Sequence, residues 1–566
     1  MISRGGGVFL RSLKAIPLSR EAQALLGLQA LVTPNECVRA ILRLPVDLLW
    51  NGGIGTYVKA GSESHADVGD RSNDAVRLDG RELRCKVIGE GGNLGLTQLG
   101  RVEYARHGGR LNTDFIDNSA GVNCSDVEVN LKILLNVAMH AGEISRPARD
   151  RLLVRMTDEV AALVLRNNIL QSQALSVMEA QARTSPDEAA FMLRALERSG
   201  DLNRALEFLP TDEELAERIR AGGGLTRPEL SIALSYGKIW LYRALINSSV
   251  PENSYFAGEL ARQFPAAVQR LFPRRLAHHR LRREIIATSI TNSLINRMGP
   301  AFPIRLQADT GAAPAAIARA YTIGRDVFGM RDLWQRIESL DNRVAAPVQY
   351  AALAATTRLL RHATGWLLQN EPQSGDMGAV VRRFAAPVAV LSAGIVAALG
   401  PAARARLGEE RAALTAQGLP DALAGQVAAL EPLHSALDLA LIARLARVEV
   451  GFAAAAWFDL GERIGLDWLR GRIEGLSADG HWHAVAQSAL LDNLYELQRR
   501  MTAAALAAGG RTAGARVSRW LAARSSAMAS LGSLTGDLRA GPAPDFATLS
   551  VALESVRRLA GALTSD

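Results

Sequence analysis

Cys85-Lys86-Val87-Ile88-Gly89-Glu90-Gly91-Gly92-Asn93-Leu94-Gly95 joins a β-prone run to a loop of glycines. The same pattern occurs upstream, where Val46-Asp47-Leu48-Leu49-Trp50 runs into Asn51-Gly52-Gly53, and the stretch from Asn112 to Ile116 reads as a third such run ahead of Asp117-Asn118. Strands that end in glycine loops, with helical segments between them, predict an α/β arrangement around a parallel sheet. One of those helices is announced by Thr33-Pro34-Asn35-Glu36: Thr33 can cap, Pro34 suits the first turn and Glu36 can reach back, so a helix is predicted from Pro34 to about Leu44. Ligands of open parallel sheets sit beyond the carboxyl ends of the strands. A residue without Cβ lets the main chain approach a ring or a phosphate there. The cluster at 89–95 is therefore the first candidate for a binding loop, although by itself it reads more readily as a tight turn. The G-x-G-x-x-G fingerprint and the P-loop pattern are absent.

After residue 140 almost every segment has helical spacing. Capping signatures recur at Ser185-Pro186-Asp187-Glu188, Thr211-Asp212-Glu213-Glu214 and Thr226-Arg227-Pro228-Glu229. Ile286, Ile290, Leu294 and Met298 form one apolar stripe before Gly299-Pro300, and Leu437, Leu441, Leu445 and Val448 a second; both read as core faces. Gln369 to Met377 and Gly541-Pro542-Ala543-Pro544 read as connecting loops. The texture divides the chain into 1–140, a helical domain 141–370 and a C-terminal helical region 371–566. The uncharged run Phe384 to Ala403 has about the length of a bilayer span, but Pro387, Pro401 and many small residues make it a close-packed soluble helix by this reading.

The chain has 566 residues, 48% of them hydrophobic and 22% charged, which gives a globular protein with room for several cores. Of its 65 basic residues only five are lysines (Lys14, Lys59, Lys86, Lys132, Lys238), against 57 acidic residues. The net charge of +8 is spread along the chain instead of forming a block, so nucleic acid is discounted as a partner, and no membrane partner is expected. Cys37, Cys85 and Cys124 make an odd count without C-x-x-C spacing, which predicts neither a disulfide framework nor a metal site and fits a cytoplasmic location. The mixed, Arg-containing start lacks a signal-peptide pattern.

A second candidate lies in Asp117-Asn118-Ser119-Ala120-Gly121-Val122-Asn123-Cys124-Ser125-Asp126, ahead of a helical run from Val127 to Asn136. Ser125 or Asp126 caps that helix in one reading. In the other, the helix N-terminus and the serine hydroxyl face an anion. His278-His279 among five arginines reads as a solvated face or subunit contact, or as an anion patch, and His65 reads as structural.

Pro45 to Lys59, Ser64 to Arg71, Val87 to Gly95 and Asn112 to Val122 together strongly resemble the large bacterial NAD-specific glutamate dehydrogenases. The resemblance extends over nearly the whole chain, but as the C-terminal portion of a longer family member, so that Met1 falls at an internal position, as in a truncated or split gene. It implies oxidative deamination of L-glutamate to 2-oxoglutarate and ammonia with NAD as cofactor. It also implies the later half of a Rossmann-like NAD-binding sheet followed by a long helical region, and a homo-oligomer, with a separately encoded upstream segment as one arrangement. Carried onto this chain, the cofactor contacts are Asn51, Gly52, Gly91, Gly92, Asn93 and Asn118, and the substrate contacts are Val122 and Ser125. Glu90-Gly91-Gly92-Asn93 departs from the Glu-Gly-Ala-Asn of smaller relatives by one glycine. The catalytic lysine, the proton-shuttling acid and the glycine fingerprint are expected upstream, so no catalytic acid or base is assigned, Lys59 and Lys86 being read as ordinary solvated lysines. The isolated chain is expected to be inactive. The rival expectation is a non-catalytic helical module for assembly or regulation.

Overall fold

A computed structural model describes residues 2–182, 186–476 and 481–561. The chain forms two compact units, 1–304 and 305–566. Both are mostly helical, and small parallel strand pairs occur in the first. The divisions read near residues 140 and 370 fall at helix ends, whereas the compact units divide between 304 and 305.

In the first unit, α1 (Pro34–Leu42) starts as expected, with Thr33 and Glu36 closing a reciprocal capping box. Four short strands follow: β1 (Leu48–Asn51), β2 (Val58–Lys59), β3 (Leu78–Asp79) and β4 (Val87–Glu90). β1 pairs in parallel with β4 in the register Leu48 to Val87 through Asn51 to Glu90, and β2 pairs in parallel with β3. A parallel pair needs a long crossover, and residues 52–86 provide it while carrying β2 and β3. Alternation puts Ile88 into a core with Val58, Leu78, Leu96 and Tyr104, whereas Leu48 and Trp50 stay more than half exposed on the other face.

The third expected strand does not form. Only Arg110 bridges Val87, while Asp114–Asp117 make a single helical turn, α3, after α2 (Gln98–Arg106). Short polar side chains explain the difference, because they bond nearby backbone and compete with a sheet ladder. Asp117 Oδ2 accepts from Glu90 N at 3.0 Å and Asp114 Oδ2 from Leu94 N at 2.8 Å.

The next helix, α4 (Ser119–His140), begins well before Val127. Asn118 is therefore its N-cap, and neither Ser125 nor Asp126 caps it. α5 (Thr157–Ala182) packs on α4, and α6 (Arg227–Ile246) packs on α5 and α7 (Arg282–Met298). The capping boxes at Thr211 and Thr226 are present, whereas Ser185 lies outside the described residues. Ile286, Ile290, Leu294 and Met298 are all buried in α7, and His279 is buried with its Nε2 against the Asn130 carbonyl, 3.0 Å away.

In the second unit, α8 (Ala346–Asn370) and α9 (Met377–Ala398) are joined by the loop expected there. α9 is long and apolar enough to cross a membrane, and it buries a one-sided stripe of Val380, Phe384, Val388, Leu391 and Ile395 within the unit. The stripe read at 437–448 is corrected: in α10 (Ala436–Ala446) Leu437 is buried but Leu445 is 68% exposed. Leu445 falls in the last turn of α10 and Val448 beyond its end, and the buried face is completed by Leu439, Ala440 and Ile442 instead. Between α8, α10 and α11 (His481–Ala507) lies a buried polar cluster. His362 stacks on His434 with ring centroids 5.4 Å apart, and Trp366 Nε1 donates to Asp438 Oδ1 at 2.8 Å.

Candidate functional site

Parallel pairing brings the carboxyl ends of β1 and β4 to the same edge, so their loops touch. Asn51 O accepts from Gly91 N at 2.8 Å and from Gly92 N at 3.0 Å. The glycines are required by this contact. A Cβ on Gly92 would lie 2.3 Å from the Gly53 carbonyl oxygen, and one on Gly91 2.4 Å from the Trp50 ring. Their missing side chains thus serve loop against loop. Asn51, Gly52, Gly91 and Gly92 form the support of the site and do not line its cavity.

Beneath the loop, Glu90 is fully buried and takes two bonds from Arg101, at 2.7 and 3.0 Å. Burial pushes the Glu90 carboxyl up, and the guanidinium pulls against that shift. Arg101 also reaches Asp114 at 3.3 Å. Clamped by Asp114 and Asp117, the loop holds Leu94 in the left-handed region at φ 57°.

This clamp aims Asn93 at the start of α4. Asn118 Nδ2 donates to Asn93 Oδ1 at 2.7 Å, so the two asparagines picked from the sequence meet. Both, with Val122, line a cavity of about 730 Å³, within the usual range for small-molecule sites. Ser125 does not line it; it sits exposed one turn further along α4, its hydroxyl 3.4 Å from the Gly121 carbonyl.

The remaining wall is helical and was not anticipated. Ser119 Oγ donates to Asn168 Oδ1 at 2.5 Å and accepts from Gln171 Nε2 at 3.2 Å, while Lys238 Nζ donates to Gln171 Oε1 at 3.0 Å. Asn168 Nδ2 in turn reaches the Asp117 carbonyl at 3.2 Å. Lys238, on α6, pairs with no carboxylate among the described residues, and burial draws its ammonium down to about 7. Asn296 completes the far side with an Oδ1 that is buried and unpartnered. The available signal was a single lysine in the otherwise apolar run around Gly237 and Ile239. Lys59, read as solvated, is buried against Asp79 at 2.5 Å; Lys86 is exposed beside Asp47. His65 lies 2.9 Å from Arg77 Nη1 in a structural cluster.

A pocket where the loop after a parallel strand meets a helix N-terminus is a general form of ligand-binding site in α/β proteins. Residues 1–178 match the family described as bacterial NAD-glutamate dehydrogenase, catalytic domain, and residues 222–558 match that described as glutamate dehydrogenase, C-terminal. The chain belongs to this glutamate dehydrogenase family. It is 43% identical over 563 residues to the NAD-specific glutamate dehydrogenase of Pseudomonas aeruginosa, covering 99% of this chain and 35% of that protein. The corresponding protein of Halomonas elongata is 42% identical over 524 residues, 92% of this chain and 32% of the relative. That of Mycobacterium tuberculosis is 39% identical over 568 residues, 99% and 35%. The chain thus spans about a third of the length of the curated relatives it matches.

Proposed function

We propose that the chain forms part of an NAD-dependent enzyme that oxidatively deaminates L-glutamate to 2-oxoglutarate and ammonia. The observation that carries this reading is the Asn118 to Asn93 hydrogen bond at the mouth of the cavity. It leaves Asn93 Nδ2 and Asn118 Oδ1 without partners among the described residues, a donor beside an acceptor. That pair fits a carboxamide, which carries both complements. We read β1 and β4 as strands from the later half of a Rossmann-like sheet, with 1–140 supplying the cofactor wall and the helices that follow serving assembly into a homo-oligomer in the cytoplasm.

When bound, NAD supplies the hydride acceptor. The chain's own part is to hold and orient: Asn93 and Asn118 set the plane of a ring-borne amide, and Val122 packs beside the substrate. Ser125, on the same face of α4 as Val122, offers a hydroxyl to a carboxylate at the open side. The first turn of α4 adds a positive helix end. Titrating NADH against the purified chain by fluorescence tests the reading. Saturable binding that weakens in Asn93→Ala is expected, and no binding to the unaltered chain would overturn it.

A further inference from the structure

We infer that Lys238 seats a carboxylate of the substrate in the cavity of Asn93 and Asn118, so that α6 contributes the cation that selects an acidic substrate. This rests on the pocket reading just proposed and adds to it a group from outside the strand loops.

The position of Lys238 is set by packing. Its neighbour Gly237 lies so close to Pro300 that a Cβ there would be 2.3 Å from the proline Cβ, and Leu234 and Leu241 are buried on the same helix. Lys238 is thereby turned to the cavity wall. An ammonium has three donors, and Gln171 Oε1 takes one of them. The orientation of that amide is fixed by its other end, since Gln171 Nε2 is committed to Ser119 Oγ.

A desolvated ammonium without a counter-charge is costly, and sites where one persists are commonly sites where a ligand brings the charge. The contrast within the chain is direct, because Lys59, Lys86 and Lys132 each hold a carboxylate. The one acid on the cavity wall, Asp114, is already engaged by Arg101 and by the Leu94 amide. Asn292 and Asn296 provide further amides on that wall, and α4 presents its N-terminal turn. The field in the cavity is therefore positive, with neutral donors around it, as a carboxylate requires.

The test uses the 566-residue chain, unaltered and as Lys238→Met and Lys238→Gln. NADH affinity is read by fluorescence, then 2-oxoglutarate affinity by calorimetry with NADH saturating. The expected result is a loss of 2-oxoglutarate affinity of about 30-fold in both variants, the scale of one charge-assisted hydrogen bond, with NADH affinity unchanged within about twofold. Lys238→Arg, which keeps the charge, is expected to recover part of the loss. Equal 2-oxoglutarate binding by Lys238→Met and the unaltered chain, or no 2-oxoglutarate binding by an unaltered chain that does bind NADH, overturns this inference alone. A loss of NADH affinity instead assigns Lys238 to a cofactor phosphate and also overturns it. Failure of the unaltered chain to bind NADH overturns the proposed function as well.

Discussion

Asn118 Nδ2 donates to Asn93 Oδ1 across 2.7 Å, joining the loop after β4 to the N-cap of α4. The bond is exposed, so its own contribution to stability is small, but it orders two amides that are otherwise free to rotate. Asn93→Ala and Asn118→Ala should each weaken NADH binding by roughly 1–2 kcal/mol, and the double variant should lose less than the sum. A double-mutant cycle read by NADH fluorescence checks this; strict additivity would separate the two residues.

Gly92→Ala places a methyl 2.3 Å from a backbone oxygen, that of Gly53, which has no side-chain freedom with which to yield. The loops must part, at about 1–3 kcal/mol. Differential scanning calorimetry should show a lower melting temperature for Gly92→Ala, whereas Gly53→Ala, whose Cβ meets nothing within 4 Å, should change little.

Leu94 pays a left-handed backbone cost, and its side chain is 65% exposed. Leu94→Gly should raise stability by up to about 1 kcal/mol, since the conformational relief of about 1–2 kcal/mol outweighs the small burial lost and the added chain entropy. A chemical-denaturation midpoint that falls would show that the leucine side chain contributes more than its exposure suggests.

Lys238 has its charged form disfavoured by burial, drawn from 10.5 to about 7. Between those values the unfolded chain binds more protons than the folded one, so stability rises with pH across the interval, and the cost is fully present below 7. Lys238→Met should therefore melt higher than the unaltered chain at pH 6.5, with the gap closing toward pH 10. An unchanged gap across that range would contradict the assignment.

In the second unit, burial lowers His362 from 6.5 to about 4 and His434 to about 3, while it raises Asp438 from 3.8 to about 6. The histidines lose stability as pH falls below 6.5, because the unfolded chain takes up their protons first; Asp438 works the other way between 6 and 3.8. Two groups outweigh one, so thermal stability should fall from pH 6.5 to 4. It should fall more steeply in Asp438→Asn, where the opposing group is gone.

How far the fold was legible depended on the range of the interaction. The capping boxes at Thr33, Thr211 and Thr226 are contacts over three residues and were found where the sequence placed them. The pairing of β1 with β4 followed from two similar runs that each end in glycine. The third strand was misjudged because Asp114 and Asp117 spend their carboxylates on neighbouring backbone, which composition alone does not reveal. The start of α4 was missed for a related reason: the small residues from Ser119 to Cys124 look like a loop until α5 packs against the helix they begin. The meeting of Asn93 and Asn118 was anticipated through family resemblance. Lys238 and Gln171 were not, since they come from helices far along the chain and only tertiary packing brings them to the same wall.

The scarcity of lysine gives the cavity a chemical handle. Lys59, Lys86 and Lys132 are each tied up with a carboxylate, which leaves Lys14 and Lys238 as the lysines without one among the described residues. Only an uncharged amine attacks an acylating reagent, so at neutral pH a limiting dose should tag Lys238 among the first. Peptide mapping of that tag would then report occupancy of the cavity by any compound that shields it.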